Sequence, residues 1–327
     1  MKVAIFYQFS EPPAIGGIRK PRKPTGYADS GADMAYCLRQ NGVDVLTPAK
    51  KPDIKTDLDW VFPDTPDGIQ AALDAGADTL WMNTVLYATH PVQQFRGKGF
   101  DLIGQDPTAM DDLDDKYATN RKLAALGLPV VTDTLVRSVS EYKGTYPCVL
   151  KPIRGRGSQG VVRCKSQDEL KAAIQAELDA KIYGDRLMVE PYLSGQEITI
   201  SLFPDGTCLP VVARYQHRGG IAPYNGDVPV SENSKAVPTD NPQLAAIVDA
   251  CRQTAEPLEL RALSRIDCRA DEAGNYYIFD YNPKPNITGA VRPHRMDQDC
   301  LTMIAARALG WSYFDLLQKM INTRWAF

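Results

Sequence analysis

The residues best suited to chemistry lie between Arg265 and Asn286. They read Arg-Ile-Asp-Cys-Arg, a turn from Asp271 to Asn275, then Tyr-Tyr-Ile-Phe-Asp-Tyr-Asn-Pro-Lys-Pro-Asn. This is the pattern of a β-hairpin whose first strand ends near Arg269 and whose second runs from Tyr276 to Tyr281. Strand side chains alternate between faces. Asp280 and Asn282 therefore share one face, and Phe279 and Tyr281 the other. Asp267, on the facing strand, falls on the side of Asp280. Two carboxylates and an amide oxygen are hard ligands, of the kind that hold Mg²⁺ together with substrate phosphates. Arg265 lies two residues before Asp267 on the same face, where it could meet an anion held by the metal. The plainer alternative is a solvated acidic hairpin, which suits Asp271 and Glu272. It suits Asp280 less, because an unpaired carboxylate beside an apolar run is costly.

A second candidate is the segment Tyr146-Pro-Cys-Val-Leu-Lys-Pro-Ile-Arg-Gly-Arg-Gly-Ser-Gln-Gly-Val-Val-Arg-Cys. A strand ends in Lys151, and Gly155, Gly157 and Gly160 follow as G-x-G-x-x-G. A dinucleotide fingerprint needs a helix directly after the glycines. Here the β-branched Val161 and Val162 follow, and the next helix starts only near Gln167. The segment reads as a hairpin tip whose backbone N–H groups can face phosphate oxygens, with Lys151, Arg154 and Arg156 adding positive charge. A surface hairpin with incidental glycines is the weaker alternative. A protein kinase also carries G-x-G-x-x-G-x-V, but its lysine follows the loop, and this chain has neither His-Arg-Asp nor Asp-Phe-Gly. Further along, Glu190 and Glu197 flank a turn at Ser194-Gly195. As isolated residues they read as ordinary exposed glutamates.

These residues need a scaffold, and the chain supplies an α/β one. Residues 1–108 alternate short apolar strands with helices at 29–41 and 66–75, which suggests a parallel sheet. A Pro- and Gly-rich loop at 8–27 carries Arg19, Lys20, Arg22 and Lys23. It reads equally well as an anion contact and as a solvated loop. His90, followed by Pro91, reads as structural. One helix is expected at 111–126, with acidic residues in its first turn and Ala118, Leu123, Ala124 and Leu126 on its apolar side. Lys116 follows the acidic run and on its own is a surface lysine. A hairpin turns at Pro204-Asp205-Gly206. The long polar stretch 215–236, with His217, Arg218, Tyr224 and Asn225, has the length of a functional loop. Helices are expected at 242–258, 292–310 and 314–321.

Composition narrows the classes. The 327 residues allow two or three domains, with 44% hydrophobic residues and a net charge of −3. Nothing suggests a nucleic-acid footprint, and no apolar run reaches the roughly 20 residues of a membrane span. The seven cysteines are scattered, without CxxC or zinc spacing, and read as reduced thiols of a cytoplasmic protein. No signal peptide is apparent.

The ordered set of a strand lysine before a Gly-rich hairpin, a Glu-x-x-Leu-x-x-x-Glu turn and an Arg-x-Asp…Asp-x-Asn hairpin resembles the ATP-grasp superfamily. Within it, the D-alanine–D-alanine ligases are the most similar, over about residues 106–320. The resemblance implies an α/β fold of the α+β ATP-grasp type. It divides the chain into an N-terminal domain (1–108), a central subdomain with the Gly-rich loop (109–188) and a C-terminal subdomain with the metal hairpin (189–327). It implies Lys116 and Lys151 on the ATP phosphates, with Arg154, Gly155, Gly157, Ser158 and Gly160 in the loop over them. It also implies Glu190 near the adenine amino group, the Leu193 backbone at the adenine edge and Glu197 on the ribose. Asp267, Asp280 and Asn282 would hold two Mg²⁺, with Mn²⁺ as a substitute. Arg265 would stabilise the tetrahedral transition state, and Arg214 would bind substrate or phosphate.

The activity implied is ATP-dependent joining of a small carboxylate to an amine through an acylphosphate. A small-molecule kinase and a non-catalytic nucleotide-binding protein are the alternatives. Trapping an acylphosphate separates the first two, and a complete set of metal carboxylates argues against the third. Relatives are often homodimers. Three features depart from the family pattern, and the first is Asp280, where the family usually has Glu. Asn282-Pro-Lys-Pro-Asn286 replaces Asn-x-x-Pro-Gly, and Trp81-Met-Asn-Thr stands where a His-Gly…Gly-Glu-Asp-Gly stretch is usual.

Overall fold

The computed structural model describes residues 1–20, 22–223 and 228–327. Tyr224 and Asn225 lie outside the described residues. The first sheet is built from β1 (Lys2–Tyr7), β2 (Asp44–Leu46), β3 (Phe62–Pro63), β4 (Thr79–Asn83) and β5 (Asp101–Ile103), all parallel. Along one side of β1, β2 pairs with its first half and β3 with its second. Helix α1 (Ala28–Gln40) buries Ala32, Met34, Ala35 and Leu38 as the spacing requires. Helix α2 (Pro66–Asp74) starts on proline, and the Thr65 side chain accepts the Gly68 N–H at 3.1 Å. His90 is buried. Its Nδ1 accepts the Val92 N–H at 3.2 Å and its Nε2 lies 3.2 Å from Asp64, a structural role.

The single helix expected at 111–126 is two, α3 (Met110–Leu113) and α4 (Lys116–Ala125). The break has a local cause. The Asp115 carboxylate accepts the Ala118 N–H at 2.8 Å and caps α4, so the acidic run is shared between two helix ends. Ala124 and Leu126 are exposed, while Thr119, Asn120 and Leu123 turn inward. The second sheet is antiparallel, in the order β6 (Thr134–Val136), β9 (Leu187–Pro191), β7 (Cys148–Pro152), β8 (Val162–Cys164), and is backed by α5 (Gln167–Ala180).

The third sheet joins β10 (Glu197–Leu202), β11 (Val212–Arg214), β12 (Ser234–Ala236), β13 (Ser264–Ala270) and β14 (Tyr276–Asn282), in the order β12-β11-β10-β13-β14. The turn 192–196 is therefore a crossing between two sheets, since β9 belongs to the second and β10 to the third. Helices α6 (Val230–Asn233) and α7 (Pro242–Arg252) intervene, and α7 ends earlier than the expected 258. The helix expected from 292 begins only at Leu301, as α8 (Leu301–Ala308). Arg292 is fully buried in ion pairs, Pro293 opens a 3₁₀ turn, and Cys300 caps α8. After α9 (Tyr313–Ile321), β15 (Trp325–Ala326) returns to the first sheet, antiparallel to β5.

Packing ties the first and third sheets together. Phe6, Leu80 and Leu102 share one apolar core with Ile198, Ile200 and Ile266. The second sheet closes a core of its own, around Val136, Leu150, Leu170 and Leu187. The second sheet thus stands as a separate lobe facing the third, and a cleft runs between them. All seven cysteines are free. Among the described residues, no helix is long and apolar enough to cross a membrane.

Candidate active site

The opening hairpin forms with the register its spacing predicts. Asp267 pairs with Asp280 and Arg265 with Asn282. A bulge follows at Phe279, because Cys268 pairs with Ile278. Bulges release backbone groups from the ladder, and here the Phe279 carbonyl accepts a 2.7 Å hydrogen bond from Lys151 Nζ. Arg265 grips Asp267 with two hydrogen bonds of 2.9 and 2.8 Å. Burial raises the Asp267 pKa, but the Arg265 guanidinium outweighs it and holds the carboxyl below its usual range. Asp280 is paired with the Lys116 ammonium. Burial opposes the charge on Lys116, yet the Asp280 carboxylate more than offsets this and its pKa ends above the ordinary lysine value.

Lys116 is not a free surface lysine. Asp115, the residue before it, caps α4, and Lys116 at the first position of that helix reaches Asp280 on β14. Asn282 Oδ1 accepts the Lys284 N–H at 3.1 Å. Among the described residues, no three His, Cys, Asp or Glu side chains cluster as metal ligands. The amide oxygen on the same strand face is that of Asn282, which the sequence suggests as a third donor. The donor set fits Mg²⁺: hard oxygens on two adjacent strands, beside cations that suit phosphate.

Facing the hairpin, Lys151, next to last in β7, forms a 2.6 Å ion pair with Glu190 on β9. Both are about 4% exposed, so Glu190 is far from an ordinary surface glutamate. Burial pushes its pKa up to about 7, with the Lys151 ammonium opposing. The glycine segment is a loop between antiparallel β7 and β8. Gly155, Gly157 and Ser158 line a cavity of about 250 Å³. Ser158 Oγ donates to the Ala222 carbonyl at 3.1 Å, so the loop tip touches the third unit.

Two of the expected phosphate residues are placed otherwise. Arg154 turns away from the cavity, donating to the Asp111 carbonyl and lying 3.5 Å from Asp115. Its pull is toward the acidic run at the base of the loop, and Arg156 faces the cavity in its stead. Gly160 is not on the lining either. Its φ is +70°, and a Cβ there would meet Tyr183 at 2.7 Å, so it shapes the loop.

The remaining expected residues meet at the same cavity. Leu193, Glu197, Arg214, Arg265, Asp267, Asp280 and Asn282 all line it, with Lys116, Lys151 and Glu190. Glu197 is buried between two guanidiniums, Arg214 at 3.7 Å and Arg269 at 3.7 Å, and its carboxylate lies 2.9 Å from His217 Nε2. His217 and Arg269 thus join the site. Both were visible in the sequence, but their approach to Glu197 depends on the register of β10 with β13 and on the path of the 215–223 loop.

The sequence reading missed Lys284 and left Lys20 and Lys23 undecided. All three line the cavity. Lys20 is paired with Asp114. Lys284 Nζ donates to Asn83 Oδ1 at 2.9 Å and stands 3.3 Å over the Tyr27 ring. Lys23 Nζ lies 4.5 Å from the same ring. The available signal was Lys284 itself, in the altered Asn-Pro-Lys-Pro-Asn run.

The chain is similar to several known proteins. A family model described as D-ala D-ala ligase C-terminus matches residues 127–322. A D-alanine–D-alanine ligase B of Chromobacterium violaceum is 26% identical over 315 residues, covering 90% of this chain and 91% of that one. A D-alanine–D-alanine ligase of Gloeobacter violaceus is 25% identical over 237 residues, 68% of this chain and 73% of that one. The crystal structure of the Bacillus anthracis D-alanine–D-alanine ligase complexed with ATP superposes with a TM-score of 0.69 at 18% identity, over 99% of this chain and 97% of that one. A Campylobacter jejuni biotin carboxylase in complex with β-γ-ATP superposes at 0.67 and 14% identity, over 98% of this chain and 70% of that one.

Fold and pocket together define an ATP-grasp enzyme, an ADP-forming carbon–nitrogen ligase. More narrowly, the chain belongs to the D-ala D-ala ligase C-terminus family, whose model spans well over half of it.

Proposed function

We propose that this enzyme activates a small carboxylate, an amino acid or short peptide, as an acylphosphate and joins it to an amine. The observation that carries this reading is the cross-strand pair Asp267 and Asp280, with Arg265 beside it and Lys116 and Lys151 across the cleft. Relatives named D-alanine–D-alanine ligases support amino-acid substrates.

In the first step a substrate carboxylate oxygen attacks the γ-phosphorus of ATP, and the bond from that phosphorus to the β–γ bridging oxygen breaks, releasing ADP. In the second, the amine nitrogen attacks the acyl carbon, phosphate departs with its oxygen, and the nitrogen loses a proton. Asp267, Asp280 and Asn282 would hold Mg²⁺, which neutralises phosphate charge when bound. Arg265 is placed to stabilise the charge that develops on the transferring group and on the tetrahedral carbon. Lys116 and Lys151 give a fixed positive wall for the phosphates, with Gly155, Gly157 and Ser158 closing over them. Glu190, Leu193 and Glu197 lie on the adenosine side.

The test is phosphate release from Mg·ATP across amino acids singly and in pairs, with hydroxylamine trapping and mass spectrometry. ADP formation that needs two substrates and yields an amide supports the ligase. A stable phosphorylated product without an amide would defeat it in favour of a kinase.

A further inference from the structure

The charges lining the cavity are not balanced side chain by side chain. Among the described residues, every Asp and Glu on the lining has a cationic partner. Asp114 faces Lys20, Glu190 faces Lys151, and Glu197 faces Arg214 and Arg269. Asp267 faces Arg265 and Asp280 faces Lys116. Three cations on the same lining have no such partner: Lys23, Arg156 and Lys284. The Arg156 nitrogens Nε, Nη1 and Nη2 are shielded from water and without a hydrogen-bond partner among the described residues.

Arg156 sits in the Gly-rich loop, on the nucleotide side. Its charge also acts on Lys23 and Lys284, which stand against the first sheet through Asn83 of β4 and the Tyr27 ring. Lys284 is anchored by Asn83, the last residue of β4, and Asn83 in turn donates to the Tyr27 carbonyl at 3.0 Å and to Ser30 Oγ at 3.1 Å. The two ammoniums share the Tyr27 ring, which holds them in place without neutralising them. Burial together with neighbouring cations lowers both pKa values, that of Lys23 to about 8. Two desolvated cations held together are costly unless an anion comes between them. Asp29 opposes the shift in both lysines by its charge, but it forms no ion pair with either among the described residues and is engaged by Arg295 at 3.1 Å and by Thr25.

We infer that the substrate bound against the first sheet carries a second anionic group, a carboxylate or phosphate beyond the carboxylate that is activated, and that Lys23 and Lys284 receive it. The inference rests on the ligase reading for its chemistry, and on the Lys23–Tyr27–Lys284–Asn83 cluster for its specificity. A dicarboxylic amino acid or a phosphorylated one is the class of substrate that fits.

The test is calorimetric binding to the full chain loaded with Mg·AMPPNP, using L- and D-glutamate against L- and D-glutamine, and O-phosphoserine against serine. At least one dianion should bind about tenfold or more tighter than its neutral counterpart, as one charge-assisted hydrogen bond in a desolvated site would give. The glutamate and phosphoserine arms separate a carboxylate site from a phosphate site. Lys284→Met and Lys23→Met should each erase most of that preference and leave Mg·AMPPNP affinity unchanged. AMPPNP binding also reports whether each variant is folded. Equal binding of dianion and neutral partner in every pair would overturn the inference. So would failure of all dianions to bind nucleotide-loaded protein, or a loss of AMPPNP affinity in Lys284→Met. The ligase reading fails separately: dianion binding without ADP or amide formation would sink that reading and leave this site standing.

Discussion

Two regions bury clusters of charge, and they are built to opposite plans. At the join of α1 with the segment before α8, Arg292 is fully buried. It donates to Asp33 at 2.7 Å, to the Ile54 carbonyl at 3.2 Å and to the Asp29 carbonyl at 3.0 Å, and pairs with Asp57 at 2.7 Å. Arg295 reaches Asp33 and Asp29, both at 3.1 Å. Burial pushes the Asp33 carboxyl up to about 6, against the pull of both guanidiniums. None of these residues lines the cavity. In the cleft the same residue types occur, but among the described residues Lys23, Arg156 and Lys284 have no acidic partner, and Asp267 and Asp280 sit where a metal would compete for them. A knot whose hydrogen bonds are complete can only hold the fold together. A cluster with cations left over is prepared for an anionic ligand.

The sharpest way to break this comparison is Arg292→Met. Removing one partner from a buried network strands the rest, so we expect a loss of about 3–5 kcal/mol in urea unfolding. ATP affinity of the folded fraction should not change. A wild-type unfolding midpoint would show that the knot is dispensable.

Arg265→Ala should do the reverse. Losing one well-aimed charge donor costs about 10²–10³ in turnover, while Mg·ATP binding survives. Normal steady-state turnover in this variant would remove Arg265 from the chemistry.

Glu190 gives a smaller effect that depends on pH. Its folded pKa is raised, so the folded state favours the protonated form. The stability this contributes is fully present below the unfolded value of 4.5 and is lost as pH rises through about 7. The wild type should therefore lose stability relative to Glu190→Gln between pH 4.5 and 7, by up to about 3 kcal/mol. Parallel denaturation curves for the two proteins at pH 5 and pH 8 check this, and a pH-independent difference would contradict it.

Chelation should have the least effect on the fold. Arg265 and Lys116 already pair with the carboxylates of Asp267 and Asp280. EDTA should abolish turnover and leave the unfolding midpoint in place. A large destabilisation would mean that the hairpin needs its metal to fold.

Much of the cleft could be read in advance because strand periodicity is local. Asp267 opposite Asp280, with Arg265 and Asn282 on the same face, follows from alternation and one turn. So does the loop between Lys151 and Val162. Helix boundaries were less legible. The break at Asp114–Asp115 turns on which carboxylate caps which helix. The late start of α8 turns on Arg292, a polar residue buried by partners more than 230 positions earlier in the chain.

What the sequence determined by itself was the order and facing of the phosphate- and metal-side residues, because the hydrogen-bond ladder sets side-chain direction every second residue. Only the tertiary structure decided which charges are matched. Lys116 became a partner of Asp280, Arg154 was drawn off to the acidic run, and Lys23 and Lys284 met over Tyr27. Those outcomes depend on the approach of separate units whose contacts span the chain, and burial then amplifies each missing or present partner.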